Sequence, residues 1–290
     1  MLELKKQRWS SSRINCFIDC PLKYKLSYQE GWKSTAPVNT QLADKGLAFH
    51  EAVEKYHTGM PREELWKILE ENIKKYNINV TNPEKDFYYD YHPAIEKFFL
   101  FWEKFIIPKE KEGYKILKEG WVNGKINDES FCGALDLCLE KDNNIEIFDY
   151  KSGKSVNANS YKPQQILYAY LKGKEKGWTV EETAKRIKLY IFGPMQTDLE
   201  NKTVEQNMLR GVKQIKYTAQ EMQDLIESHY IKNISAIHTM NWARAQGNIT
   251  HSCSWCPYCG AKPNDKGFSG CPKTVKAGFA SPDNVEFYQK

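Results

Sequence analysis

Apolar positions along the chain follow two periods, and the change from one to the other divides it. After Ser10-Ser11-Ser12, which supply N-cap candidates, Ile14, Phe17, Ile18 and Leu22 fall at helical spacing, with Cys16 and Cys20 one turn apart. Residues 33 to 41 have no strong period and read as a loop. A helix is predicted from Gln41 or Asp44 to about His57. Two more cover Arg62 to Tyr76 and about Tyr91 to Ile107, with Pro61 and Pro93 near their starts and Pro108 closing the second. From 114 to 151 the pattern reads as a three-stranded meander. It comprises Lys115 to Val122, a strand with Leu135, Leu137 and Leu139 on its apolar face, and a strand ending Phe148-Asp149-Tyr150-Lys151. A helix from about Tyr161 to Gly173 and a strand from Arg186 to Phe192 follow. Pro194 to Asn207 is polar and unassigned. A strand ends at Ile215-Lys216-Tyr217, and Thr218 caps a long helix to roughly Gln246, where Gly247-Asn248 stops it.

Alternation puts Asp149 and Lys151 on one face and Tyr150 on the other. Cys132, Ala134, Asp136 and Cys138 lie opposite the leucines, and the turn Lys141-Asp142-Asn143-Asn144 lets the two strands pair and bring Asp136 beside Asp149. Two carboxylates at one spot repel unless a cation sits between them. Hard oxygen ligands suit Mg²⁺ or Mn²⁺, and a neighbouring lysine can orient or deprotonate water.

At 290 residues the chain can bury a full core, and its 41% hydrophobic and 27% charged residues are ordinary for a soluble protein. The densest apolar cluster, Phe98 to Trp102, is flanked by Lys97 and Glu103, and no leader pattern is present, so a cytoplasmic protein without membrane contact is expected. The net charge of +5 permits a polyanionic partner. Four of the eight cysteines, Cys253, Cys256, Cys259 and Cys271, crowd one C-terminal segment, which points to metal or iron–sulfur ligation rather than disulfides. There is no Gly-x-x-x-x-Gly-Lys-Ser/Thr segment, so helicase action would belong to a partner.

An acid, a gap and then Asp-x-Lys at a strand end resembles the PD-(D/E)XK nuclease superfamily. Further motifs occur in the order of its RecB-like nucleases: Cys20-Pro21, Gly46-x-x-x-His50, Asp136, Asp149-Tyr150-Lys151-Ser152-Gly153, Gln164-x-x-x-Tyr168 and the C-terminal cysteines. The resemblance implies one α/β domain over 1–290, with a restriction-endonuclease-like core whose mixed central sheet is flanked by helices. It also implies a helical insertion at 58–110 and a cysteine-rich clasp at 248–290. By the same resemblance, His50, Asp136 and Asp149 hold the metal with help from the Tyr150 carbonyl, Lys151 handles the water, and Gln164 and Tyr168 meet the substrate. Glu119 falls where some relatives carry an extra acid, and an exposed strand position is the other reading. Cys20, Cys253, Cys256 and Cys271 would bind a 4Fe-4S cluster, with Cys259 as alternative fourth ligand. A zinc site of Cys253, Cys256, Cys259 and Cys271 competes with it. The implied function is a metal-dependent DNA exonuclease of recombination, repair or phage DNA processing, with DNA and a helicase or recombination protein as partners. The rival is a non-catalytic DNA-binding or assembly module with a relic site.

Overall fold

The computed structural model describes residues 8–34, 41–78, 88–151, 157–193, 211–246, 256–259, 261–271 and 287–289. The chain forms two compact units: residues 9–40 with 227–290 make one, and 41–226 with the first eight residues make the other. Helix α1 (Ser11–Asp19) is capped by the Ser10 hydroxyl. It stops three residues short of the expected run to Leu22, because a residue before proline avoids the helical region. Cys20 is extended (φ −159°, ψ 104°), so Cys16 and Cys20 do not share a helix as the periodicity suggested. Instead the Cys20 thiol caps α2 (Pro21–Tyr24), accepting from the Lys23 amide at 3.4 Å. Part of the expected loop is a short strand, β1 (Trp32–Ser34).

The larger unit begins with α3 (Gln41–Lys55), α4 (Arg62–Lys75) and α5 (Tyr88–Phe101). After a widened π-type stretch, Trp102–Ile106, comes α6 (Ile107–Lys111), and Pro108 opens this helix rather than closing the previous one. The helical run continues into it from the π-type stretch, whose last bond is from the Ile107 amide to Trp102 O. Then come β2 (Lys115–Ile126), β3 (Glu129–Lys141), β4 (Asn144–Tyr150), α7 (Lys162–Glu175), α8 (Val180–Arg186), β5 (Ile187–Phe192) and β6 (Val212–Ile215). The five strands form one sheet in chain order, antiparallel except for the β4–β5 pair. Parallel neighbours need a crossover, and α7 and α8 supply it.

Helices α3, α4 and α5 bury Phe49, Val53, Leu65, Leu69, Phe98 and Phe101 in one core with Leu137, Leu139, Phe148, Tyr150 and Phe192 of the sheet. Phe101 stacks on Phe192 with centroids 4.4 Å apart. Each such ring contributes about 1.5–3 kcal/mol by burial, so residues of the 58–110 segment build this core directly. Helix α7 covers the opposite face, where Lys172 pairs with Glu140 at 2.7 Å. Two glycines permit close approach there. A Cβ on Gly133 would lie 2.2 Å from the Tyr168 ring, and one on Gly173 would lie 2.0 Å from the Thr183 hydroxyl of α8.

The Thr218 capping box with Glu221 starts a helical run at Ala219 that passes through a π-type stretch, Ile226–Ile231, and ends at Thr239. This is earlier than the expected Gln246. Met240 is extended, and the Asn241 side chain accepts from the Ala243 amide at 3.2 Å, so a local turn displaces further helix. Strand β7 (Phe287–Gln289) pairs antiparallel with β1 in the terminal unit.

Candidate metal centre

The sheet ladder places the two acids as expected. Leu137 pairs with Phe148, so Asp136 and Asp149 stand at the next opposed position, where main-chain pairing stops. The Asp136 carboxylate takes over from the ladder and accepts from the Tyr150 amide at 2.6 Å. Tyr150 points its ring into the core, between Phe98 and Phe101, and keeps its main chain at the site. Beyond β4 the Lys151 amide still bonds Phe192 O at 2.9 Å, which holds the lysine at the strand end.

Lys151 Nζ lies 2.5 Å from Asp149 Oδ2 and 4.6 Å from the centre of the Tyr161 ring. Asp149 is only 4% exposed, and among the described residues its Oδ2 accepts no aligned hydrogen bond beyond this ion pair. Burial raises its pKa to about 6, opposed by the Lys151 charge and reinforced by Asp136. Burial raises Asp136 too, against the Tyr150 amide and Lys151.

From the helical side, His50 Nδ1 stands 3.8 Å from Asp136 Oδ2. Burial holds its pKa below the usual histidine range, against the pull of Asp149, which favours the neutral imidazole, the form that ligates metals. Glu54, one turn further along α3, completes a group: ligand atoms of His50, Glu54 and Asp136 lie within 4.8 Å of one another. Glu54 is pushed up to about 8, first by burial and then by a hydrogen bond to the Glu119 carboxyl. Sequence reasoning passed over Glu54, although its spacing of four from His50 was the available signal.

Glu119 owes its position to a break in β2. Its φ of 49° is rare for a residue with a side chain. The ladder runs from Lys118↔Leu137 to Gly120↔Leu135 and skips Glu119 and Asp136. Alternation therefore fails here: Lys118 Nζ bonds Tyr56 O and its neighbour Glu119 meets Glu54, both toward α3. Past the break, Gly124 and Gly133 face α7, whereas Leu137 and Leu139 face α3 and α5.

Gln164 Nε2 donates to the Tyr168 phenol at 2.8 Å. Tyr168 is 6% exposed, and burial pushes its pKa up to about 12, with Asp149 and Asp136 adding to the shift. The Gln-x-x-x-Tyr pair is thus a preformed unit beside the acids. Ser152 and Gly153 lie outside the described residues.

In the terminal unit Cys20 and Cys271 share a buried apolar cluster with Leu22, Leu26, Trp32 and Phe268, and Cys256 packs against it. Burial raises the Cys256 pKa to about 11, and Cys271 and Cys20 add to that. Cys259 is half-buried, its amide bonded to Cys256 O. Cys253 lies outside the described residues.

A mixed sheet with opposed acids and a lysine at a strand end, ringed by further carboxylates and an imidazole, defines the core of a metal-dependent nuclease fold. A family model for the PD-(D/E)XK nuclease superfamily matches residues 8–261, and the chain belongs to that superfamily. Its members are typically metal-dependent nucleases that act on DNA. No curated protein gives a significant sequence match. No helix among the described residues is long and apolar enough to cross a membrane.

Proposed function

We propose that this protein is a metal-dependent DNA exonuclease of the RecB-like type, serving recombination, repair or phage DNA processing beside a helicase or recombination protein. The observation that carries the reading is the convergence of His50, Glu54 and Asp136 within 4.8 Å, next to the Asp149–Lys151 pair. Oxygen donors with one imidazole suit Mg²⁺ or, better, Mn²⁺. The buried carboxylates that ionise reluctantly are the groups a divalent cation would relieve. His50, Asp136 and Asp149 would hold it with the Tyr150 carbonyl, and Glu54 and Glu119 extend the donor set.

When bound, the ion supplies charge for the scissile phosphate and acidifies a water. Lys151, steadied between Asp149 and the Tyr161 ring, orients that water and meets the developing negative charge. Gln164, whose amide is fixed by Tyr168, offers a hydrogen bond to a substrate phosphate or base. The test is cleavage of linear and circular DNA, single- and double-stranded, with Mn²⁺ or Mg²⁺. Loss of free-ended DNA with circular DNA spared, abolished in Asp149→Ala, is expected. No cleavage with either ion on any substrate would favour the non-catalytic DNA-binding or assembly module.

The cysteines extend the proposal to a 4Fe-4S clasp held by Cys20, Cys253, Cys256 and Cys271. It is supported by Cys20, Cys256 and Cys271 meeting around one apolar cluster. A zinc site of Cys253, Cys256, Cys259 and Cys271 would leave Cys20 a core residue that caps α2.

A further inference from the structure

Beyond the break at Glu119, strands β2 and β3 continue as a hairpin whose two faces differ sharply. Val122 and Ile126 are buried, whereas Glu119, Trp121, Asn123 and Lys125 are exposed. Opposed residues of an antiparallel pair share a face, so Trp121 stands beside Ala134, Asn123 beside Cys132 and Lys125 beside Ser130. Trp121 is 67% exposed, the most exposed large hydrophobic among the described residues, and its cross-strand neighbour offers only a methyl group. A single exposed apolar side chain needs no explanation by itself. Its position does: it follows by two residues Glu119, whose carboxyl meets Glu54. Leu47, 46% exposed, lies one turn before His50 on α3, at the spacing that shares a face with His50 and Glu54. Among the described residues, both exposed large hydrophobics of the larger unit thus sit on elements that carry the candidate metal ligands.

We propose that Trp121 is a stacking platform for an unpaired nucleobase, and that the row Trp121–Asn123–Lys125 guides a single strand of DNA to the metal centre. This deepens the nuclease reading and rests on it for the identity of the ligand as DNA. An indole face can take up a base only where that base is unstacked, which a single strand offers and the interior of a duplex does not. Asn123 presents an amide next along the row. Lys125, about 20 Å from Glu119 along the strand, supplies the positive charge that a phosphate backbone requires. Trp121 is a positioning residue and takes no part in bond cleavage.

The test measures binding of a fluorescent oligothymidylate to the full chain in EDTA, so that cleavage does not enter. Trp121→Ala is expected to weaken it roughly five- to a hundredfold, and Trp121→Phe to restore most of the loss. Blunt duplex of the same length should respond less. Lys125→Ala should lower the salt-dependence slope by about 0.7. In cleavage with Mn²⁺, Trp121→Ala should raise KM and keep kcat within about twofold. Single-strand affinity unchanged within about twofold in Trp121→Ala overturns the proposal, as does a parent protein that binds no single strand. The nuclease reading fails separately, if the parent binds the strand and cleaves no DNA with either ion.

Discussion

Replacing Asp149 by Asn removes a carboxylate that the fold makes hard to ionise. An ordinary aspartate titrates near 3.9, and here burial moves the carboxyl to about 6. At about 1.4 kcal/mol per pH unit, ionising it in the folded state costs roughly 3 kcal/mol more than in the unfolded chain. The sign follows from linkage: between about 4 and 6 the folded state binds the proton that the unfolded state has lost, so stability falls as pH rises through that window and then levels off. Asp149→Asn lacks this loss, although its Lys151 partner becomes unpaired, which offsets part of the gain. Thermal melts in EDTA at pH 7.5 should therefore place the variant a few degrees above the parent, and the two should converge near pH 4. Mn²⁺ should reverse the order, because only a protein that binds the ion gains stability from it. Equal melting of parent and variant in EDTA at pH 7.5, or an equal gain from Mn²⁺, would refute the argument. The variant should also lose DNA cleavage.

With Glu54 pushed up to about 8 by burial and the Glu119 carboxyl, Mn²⁺ binding at pH 7 should release a proton. Calorimetry in buffers of different ionisation enthalpy should show it, and Glu54→Gln should abolish it. Gly133→Ala should drive the Tyr168 ring off the hairpin, costing about 1–3 kcal/mol, which denaturant unfolding would register. Anaerobically purified protein should be brown with iron and sulfide, and Cys20→Ser should lose the colour and expose both chain ends to protease. Colourless protein whose single zinc survives Cys20→Ser would leave the clasp without support.

Much of the centre was legible because β-strands impose strict alternation. Asp136, Asp149 and Lys151 could be brought together from the residue pattern and one turn, and the turn at 141–144 formed as its residues dictate. What escaped was non-periodic. Glu119 reaches Glu54 only through a left-handed residue inside β2, a conformation that no local propensity announces. Glu54 was hidden behind His50, whose spacing to Gly46 drew attention toward the start of the helix. The apolar period runs on through Cys20 to Leu22, but Pro21 keeps Cys20 out of the helical region and ends α1 at Asp19. The helix beyond Thr239 was over-extended for a related reason, since Asn241 provides a competing local hydrogen bond.

The division of the chain has a consequence for synthesis. The unit built from 41–226 is nearly continuous in sequence, whereas the terminal unit is assembled from 9–40 and 227–290. On a ribosome adding about 5–20 residues per second, Cys20 emerges on the order of ten to fifty seconds before Cys256. During that wait a free thiol and the apolar side chains of Leu22, Leu26 and Trp32 stand without the partners of their cluster. The cluster around Leu22, Leu26 and Trp32 therefore closes only after the segment carrying Tyr258, Phe268 and Cys271 has been made.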